Sequence, residues 1–283
     1  MTKMRQRKQP RKLANLLGTA LVASMAWSMA AWAADCPRKG TLGTSRILGV
    51  DAAATPRVGL KNFPQTLPLE DHEVVLTFDD GPWPPTTPRV LAALAQECVR
   101  ATFFLIGKPA SEHPALVRRI AAEGHTIGHH TWLHRSLMQI PASETREEID
   151  RGIAADEMAL HGVATTSPST PFFRFPGFET TPATLELLQS RGITVFGADL
   201  WASDWDPMTP SHELKLLTDR LRAARKGIIL LHDPKAQTAA MLPAFLRYLK
   251  DHHYRVVHLV PAAPRVDFGV SGEPKSGEEV KNN

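Results

Sequence analysis

From about residue 72 to residue 260 the chain alternates short β-rich apolar runs with segments of helical period, and this alternation restricts its fold more than any other feature. The runs Val74–Phe78, Ala101–Ile106, Ile193–Phe196 and Ile228–Leu231 are apolar nearly throughout, as strands buried on both faces must be. Between them, helices are predicted from about Pro88 to Glu97, from Pro114 to a stop at Gly124, and from about Ser143 to His161. Two more run from Pro182 to Arg191, closed by Gly192, and through Leu214, Leu217 and Leu221 to a stop at Gly227. The mixed Glu, Asp and Arg of the Ser143–His161 helix read as a solvated face with no role in function. Strands alternating with helices make an α/β fold with a parallel sheet or barrel, and such folds carry their chemistry at the carboxyl ends of the strands.

The flanks divide the chain further. Lys3, Arg5, Arg7, Lys8, Arg11 and Lys12 precede the apolar stretch Leu13–Ala30, which ends at Ala31-Trp32-Ala33. Residues 1–33 therefore read as a secretory signal peptide, and the protein as exported to a periplasmic or extracellular space, with an uncleaved membrane anchor as the alternative. Residues 34–70 form an N-terminal lead-in expected to pack on the main domain, 71–261. The stretch 262–283, rich in Gly, Pro, Ser and charge, reads as a disordered tail. The formal charge of +4 contains six basic residues from the signal and no acidic ones, so the remainder is slightly acidic and gives no argument for nucleic-acid binding. Export permits a disulfide between the two cysteines, Cys36 and Cys98; the alternative is a buried thiol at Cys98 with Cys36 unused.

Potential metal ligands are densest at His125, His129, His130 and His134. His130 and His134 have the spacing that sets two imidazoles on one face of a helical turn, within reach of one cation. Asp79-Asp80, at the end of the first strand, can supply a carboxylate, and two acids with different neighbours can take different roles. Taken singly, the histidines could be satisfied core or surface groups, and the aspartates could shape a turn with Gly81 and Pro82.

Thr77-Phe78-Asp79-Asp80-Gly81-Pro82 and His130-Thr131-Trp132-Leu133-His134 resemble the first two motifs of the polysaccharide deacetylases, carbohydrate esterase family four, with the NodB homology domain. Phe173-Arg174-Phe175-Pro176-Gly177, the stretch Asp199 to Trp205, and Ile228-Ile229-Leu230-Leu231-His232 resemble the next three in order. The resemblance implies a distorted (β/α) barrel. It implies that Asp80, His130 and His134 hold a divalent metal, zinc above all, with cobalt, nickel or manganese as alternatives. Asp79 would be the catalytic base, Arg174 its partner, and His232 the acid. Pro176, Gly177, Trp205 and Leu230 would form the substrate pocket. The substrate would be an N-acetylglucosamine poly- or oligosaccharide, chitin-like or peptidoglycan, with no obligate protein partner; the alternatives are O-acetylated xylan, or a catalytically silent carbohydrate-binding protein.

Two departures stand out. Gly177 replaces a tyrosine common in the third motif, which keeps a backbone N–H for an oxyanion but predicts loss of aromatic shaping. Trp201 replaces the aspartate of the fourth motif that tunes the acid histidine, leaving Asp199 or Asp204 to substitute, with Asp199 preferred.

Overall fold

The computed structural model describes residues 38–262, so the signal segment, Cys36 and the tail beyond Ala262 lie outside the described residues. Cys98 is half of a disulfide. Among the described residues no helix is long and apolar enough to cross a membrane.

In chain order the elements are β1 (Thr44–Val50), β2 (Arg57–Val58), β3 (Glu73–Asp79), α1 (Thr87–Gln96), β4 (Thr102–Leu105), α2 (Gly107–Glu112), α3 (Pro114–Ala122), β5 (Thr126–His129) and α4 (Ala142–His161). They continue with β6 (Phe172–Phe173), a 3-10 turn (Pro176–Phe178), α5 (Pro182–Ser190), β7 (Thr194–Phe196), β8 (Leu200–Trp201), α6 (Pro210–Ala224), β9 (Gly227–His232), α7 (Ala236–Asp251) and β10 (Arg255–Pro261). Every strand pairing is parallel, with the path β1-β10-β3-β4-β5-β6-β7-β2 and with β9 pairing both β3 and β8. This is a distorted (β/α) barrel, in which β3 is shared by β4, β9 and β10.

The period of two along β3 sorts its side chains. Val74, Leu76 and Phe78 pack outward with Val90, Leu91 and Leu94 of α1, while Val75 points into the barrel with Phe104, Phe172, Phe196 and Ile228. Each such fully buried large apolar side chain contributes roughly 1.5–3 kcal/mol. Thr77 and Asp79 follow Val75 on the inward side, so the same alternation that builds the core delivers a carboxylate to its carboxyl end.

The predicted helices and strands lie within a residue or two of those observed, apart from the α6 stop. Arg225 caps α6 in the left-handed region at φ 64°. Gly227 instead opens β9, at φ 143°, where a Cβ would lie 2.6 Å from Cβ of Asp199. It is a glycine for close approach rather than for helix termination.

Candidate active site

Strand register assembles the site. Asp79 is level with His232 across β3 and β9, and His129 is level with Phe173 across β5 and β6, which puts the next residues, His130 and Arg174, side by side. All four therefore emerge at the carboxyl ends of neighbouring parallel strands.

Asp80, at φ 75°, turns away from β3 and faces two histidines. Its Oδ1 lies 3.4 Å from Nε2 of His130 and 3.3 Å from Nε2 of His134, and the three ligand atoms fall within 4.8 Å of one another. Nδ1 of His130 donates to the Arg174 carbonyl at 2.6 Å, which fixes the tautomer that leaves Nε2 as the free lone pair. Oδ1 of Asp80 is buried with no hydrogen-bond partner. One carboxylate and two imidazoles converging on an unsatisfied acceptor fit a divalent transition metal with open coordination positions.

The expected helical turn between the two histidines is not what brings them together. His130–His134 is a loop, with Thr131 at φ 63° and His134 at φ 57°. The N–H groups of Gly107 and Lys108 donate to the carbonyls of Thr131 and Trp132 at 2.9 and 3.1 Å, and the Leu133 N–H donates to Oε2 of Glu148 at 2.8 Å. Against the loop lies Gly152 of α4, where a Cβ would sit 2.4 Å from the Thr131 carbonyl carbon. The charges of α4 are thus not all a solvated face: Glu148, Asp156 and Glu157 are buried. Nor do all four clustered histidines reach the site. His125 accepts from the Ala101 N–H, and His129 is buried against Asp156 at 2.8 Å.

Asp79 is paired with Arg174, whose Nη1 donates to Asp79 Oδ1 at 2.7 Å and to Thr77 Oγ1 at 2.8 Å, while Nη2 donates to the Gly197 carbonyl at 2.8 Å. The guanidinium also lies 4.3 Å from the centre of the Phe104 ring. This fully buried arginine spreads its donors between β3 and the end of β7, geometry a lysine cannot reproduce.

The partner of His232 is Asp204, and the preference for Asp199 is corrected. Asp204 Oδ1 takes the His232 Nδ1–H at 2.8 Å and its Oδ2 takes the His232 backbone N–H at 2.7 Å. Burial pushes the imidazole down, but the hydrogen bond and charge of Asp204, with Asp79 and Asp80 nearby, raise it overall to about 9. β8 explains the exchange. Leu200 and Trp201 pair with Ile229 and Leu230, so Asp199 sits near the start of β9, whereas a turn through Ser203 at φ 59° brings Asp204 under its end. Asp199 instead accepts from the N–H groups of Leu60 and Ile228 and from Thr66 Oγ1, at 2.8, 2.7 and 2.7 Å, stitching the lead-in to β9.

These groups line one pocket of about 370 Å³: Asp79, Asp80, His130, His134 and His232, with Phe175, Gly177, Phe178, Trp201, Trp205, Leu230 and Lys235. Pro176 is buried behind the lining rather than part of it, because it opens the 3-10 turn and accepts the Glu179 N–H. Aromatic shaping is not lost at Gly177: Phe178, one residue on, stacks with Trp201 at 6.2 Å between ring centres. Phe178 and Lys235 were missed in the sequence; the adjacency of Phe178 to Gly177 was the available signal for the first.

A parallel α/β barrel whose strand ends carry three potential metal ligands and an ion-paired aspartate has the layout of a hydrolase site. Residues 67–196 match the profile described as polysaccharide deacetylase. A chitooligosaccharide deacetylase of Rhizobium leguminosarum bv. trifolii is 45% identical over 58% of this chain and 73% of its own length. A peptidoglycan-N-acetylglucosamine deacetylase of Bacillus cereus is 38% identical over 49% of this chain, which spans only about half, 48%, of that relative. Among solved structures, a Bdellovibrio bacteriovorus peptidoglycan deacetylase superposes with a TM-score of 0.69 at 28% identity, over 81% of this chain and 62% of that one. The chain belongs to the polysaccharide deacetylase family.

Proposed function

We propose that the protein is an exported, metal-dependent deacetylase that hydrolyses the acetamide of N-acetylglucosamine units in a poly- or oligosaccharide. The observation carrying this reading is that Asp79, His232 and the Asp80–His130–His134 set face one pocket. A divalent cation held by that set, zinc by its donor atoms, would polarise the acetamide carbonyl and acidify a water beside it.

The chain's own residues supply the rest. Arg174 occupies Oδ1 of Asp79, so Oδ2 is the atom left to take the proton from the attacking water. The Gly177 N–H is the donor for the oxyanion that develops on the carbonyl. Nδ1–H of His232 is committed to Asp204, so its Nε2–H protonates the amine nitrogen as the C–N bond breaks, leaving acetate and a free amino sugar. Leu230 and Trp205 wall the acetyl methyl, and the rings of Phe178 and Trp201 suit the apolar face of a pyranose.

Relatives named for chitooligosaccharide and peptidoglycan support the N-acetylglucosamine class. The complete set of base, acid and ligands weighs against a silent binding protein. Export rests on the signal pattern of residues 1–33. Protein loaded with zinc or cobalt should release acetate from an N-acetylglucosamine oligomer series or from peptidoglycan, and a chelator should stop it. Release from acetylated xylan alone would move the assignment to O-ester hydrolysis, and no acetate from any of these would refute it.

A further inference from the structure

Behind the His232–Asp204 pair lies a buried acid that the reaction above does not use. Glu213 on α6 and Thr238 on α7 are both fully buried. Thr238 Oγ1 lies 2.9 Å from Asp204 Oδ2 and 2.9 Å from Glu213 Oε1. A threonine hydroxyl has one proton and cannot donate to two carboxylates at once. Asp204 already accepts two N–H groups from His232, as suits an ionised carboxylate. Glu213 has no such support: its Oε2 is buried without any hydrogen-bond partner, a costly place for half of a negative charge.

We propose that Glu213 is a positioning residue that works as a neutral acid, donating to Thr238 so that Thr238 donates to Asp204 and Asp204 alone opposes His232. The proposal rests on reading His232 as the acid of the reaction. Burial raises the Glu213 carboxyl to about 7, with Asp204 pushing it up and His232 pulling it down as the charged groups acting on it. Loss of the proton above that pH puts a second negative charge behind Asp204, and His232 then holds its own proton more tightly.

Carboxyl carbon NMR of the full protein, with the Glu213 signal assigned by its loss in E213Q, tests this without any substrate, so its outcome is separate from that of the acetate assay. Glu213 should titrate near pH 7, and the His232 ring nitrogens should show a first inflection there that E213Q abolishes. In turnover, E213A should lose about tenfold in kcat at pH 6 with KM little changed, and E213Q, which keeps a neutral donor, should recover most of it while its alkaline limb moves to lower pH. A Glu213 carboxylate already ionised at about pH 5.5, the absence of the His232 inflection, or equal losses in the Ala and Gln variants would overturn the proposal.

Discussion

Arg174 and Asp79 meet at 2.7 Å inside the barrel, with side-chain exposures of 0% and 4%. Removing one partner of a buried pair strands the other charge, so Arg174→Met should cost about 3–5 kcal/mol of stability. Urea denaturation measures this, and Arg174→Met combined with Asp79→Asn should cost less than the two single changes added.

Asp79→Asn keeps the shape of the site and removes the proposed base. With metal content unchanged, turnover should fall about 100-fold to 10,000-fold while oligosaccharide binding by calorimetry persists. Unchanged turnover in this variant would assign the base to another group.

The ligand set predicts metal stoichiometry. The wild type should carry one divalent ion per chain after dialysis, while Asp80→Ala or His130→Ala should carry almost none. Added zinc should raise the melting temperature of the wild type alone, because only a site that binds the folded state stabilises it.

The two aspartates of the fourth motif predict opposite behaviour. The folded pKa of His232 is raised to about 9 from an ordinary value near 6.5. Its pairing with Asp204 therefore stabilises the fold fully below about pH 6.5, and the contribution is lost as pH rises toward 9. Asp204→Asn should remove that stability at low pH and move the alkaline limb of kcat to lower pH. Asp199→Asn should leave the limb in place yet lower stability, because the Leu60 and Ile228 N–H groups and the Thr66 hydroxyl lose their shared acceptor. Unfolding and pH–rate profiles of the pair separate the two roles.

The strands were legible because apolar runs such as Val74–Phe78 are buried on both faces, and Asp79 and Asp80 followed from the point where that run stops. The three candidate metal ligands were legible as residue types, but the path between His130 and His134 was not: spacing of four is shared by a helical turn and by this loop, and the left-handed Thr131 and His134 carry no mark in composition. Asp204 was obscured because a two-residue strand, β8, separates it from Asp199 and places the two at different heights along β9. Glu148 was hidden for another reason. A helix rich in charge looks solvated in sequence, and only packing reveals which of its acids turn inward.

Gly152 belongs to that same helix, and a single hydrogen is all that fits between it and Thr131. The ligand loop is thereby cast against α4 when the protein folds, with Gly107, Lys108 and Glu148 fixing its backbone. The positions of His130 and His134 are thus set by α2 and α4 rather than by their own loop, so a side chain placed at Gly152, outside the pocket, would displace two of the three candidate ligands.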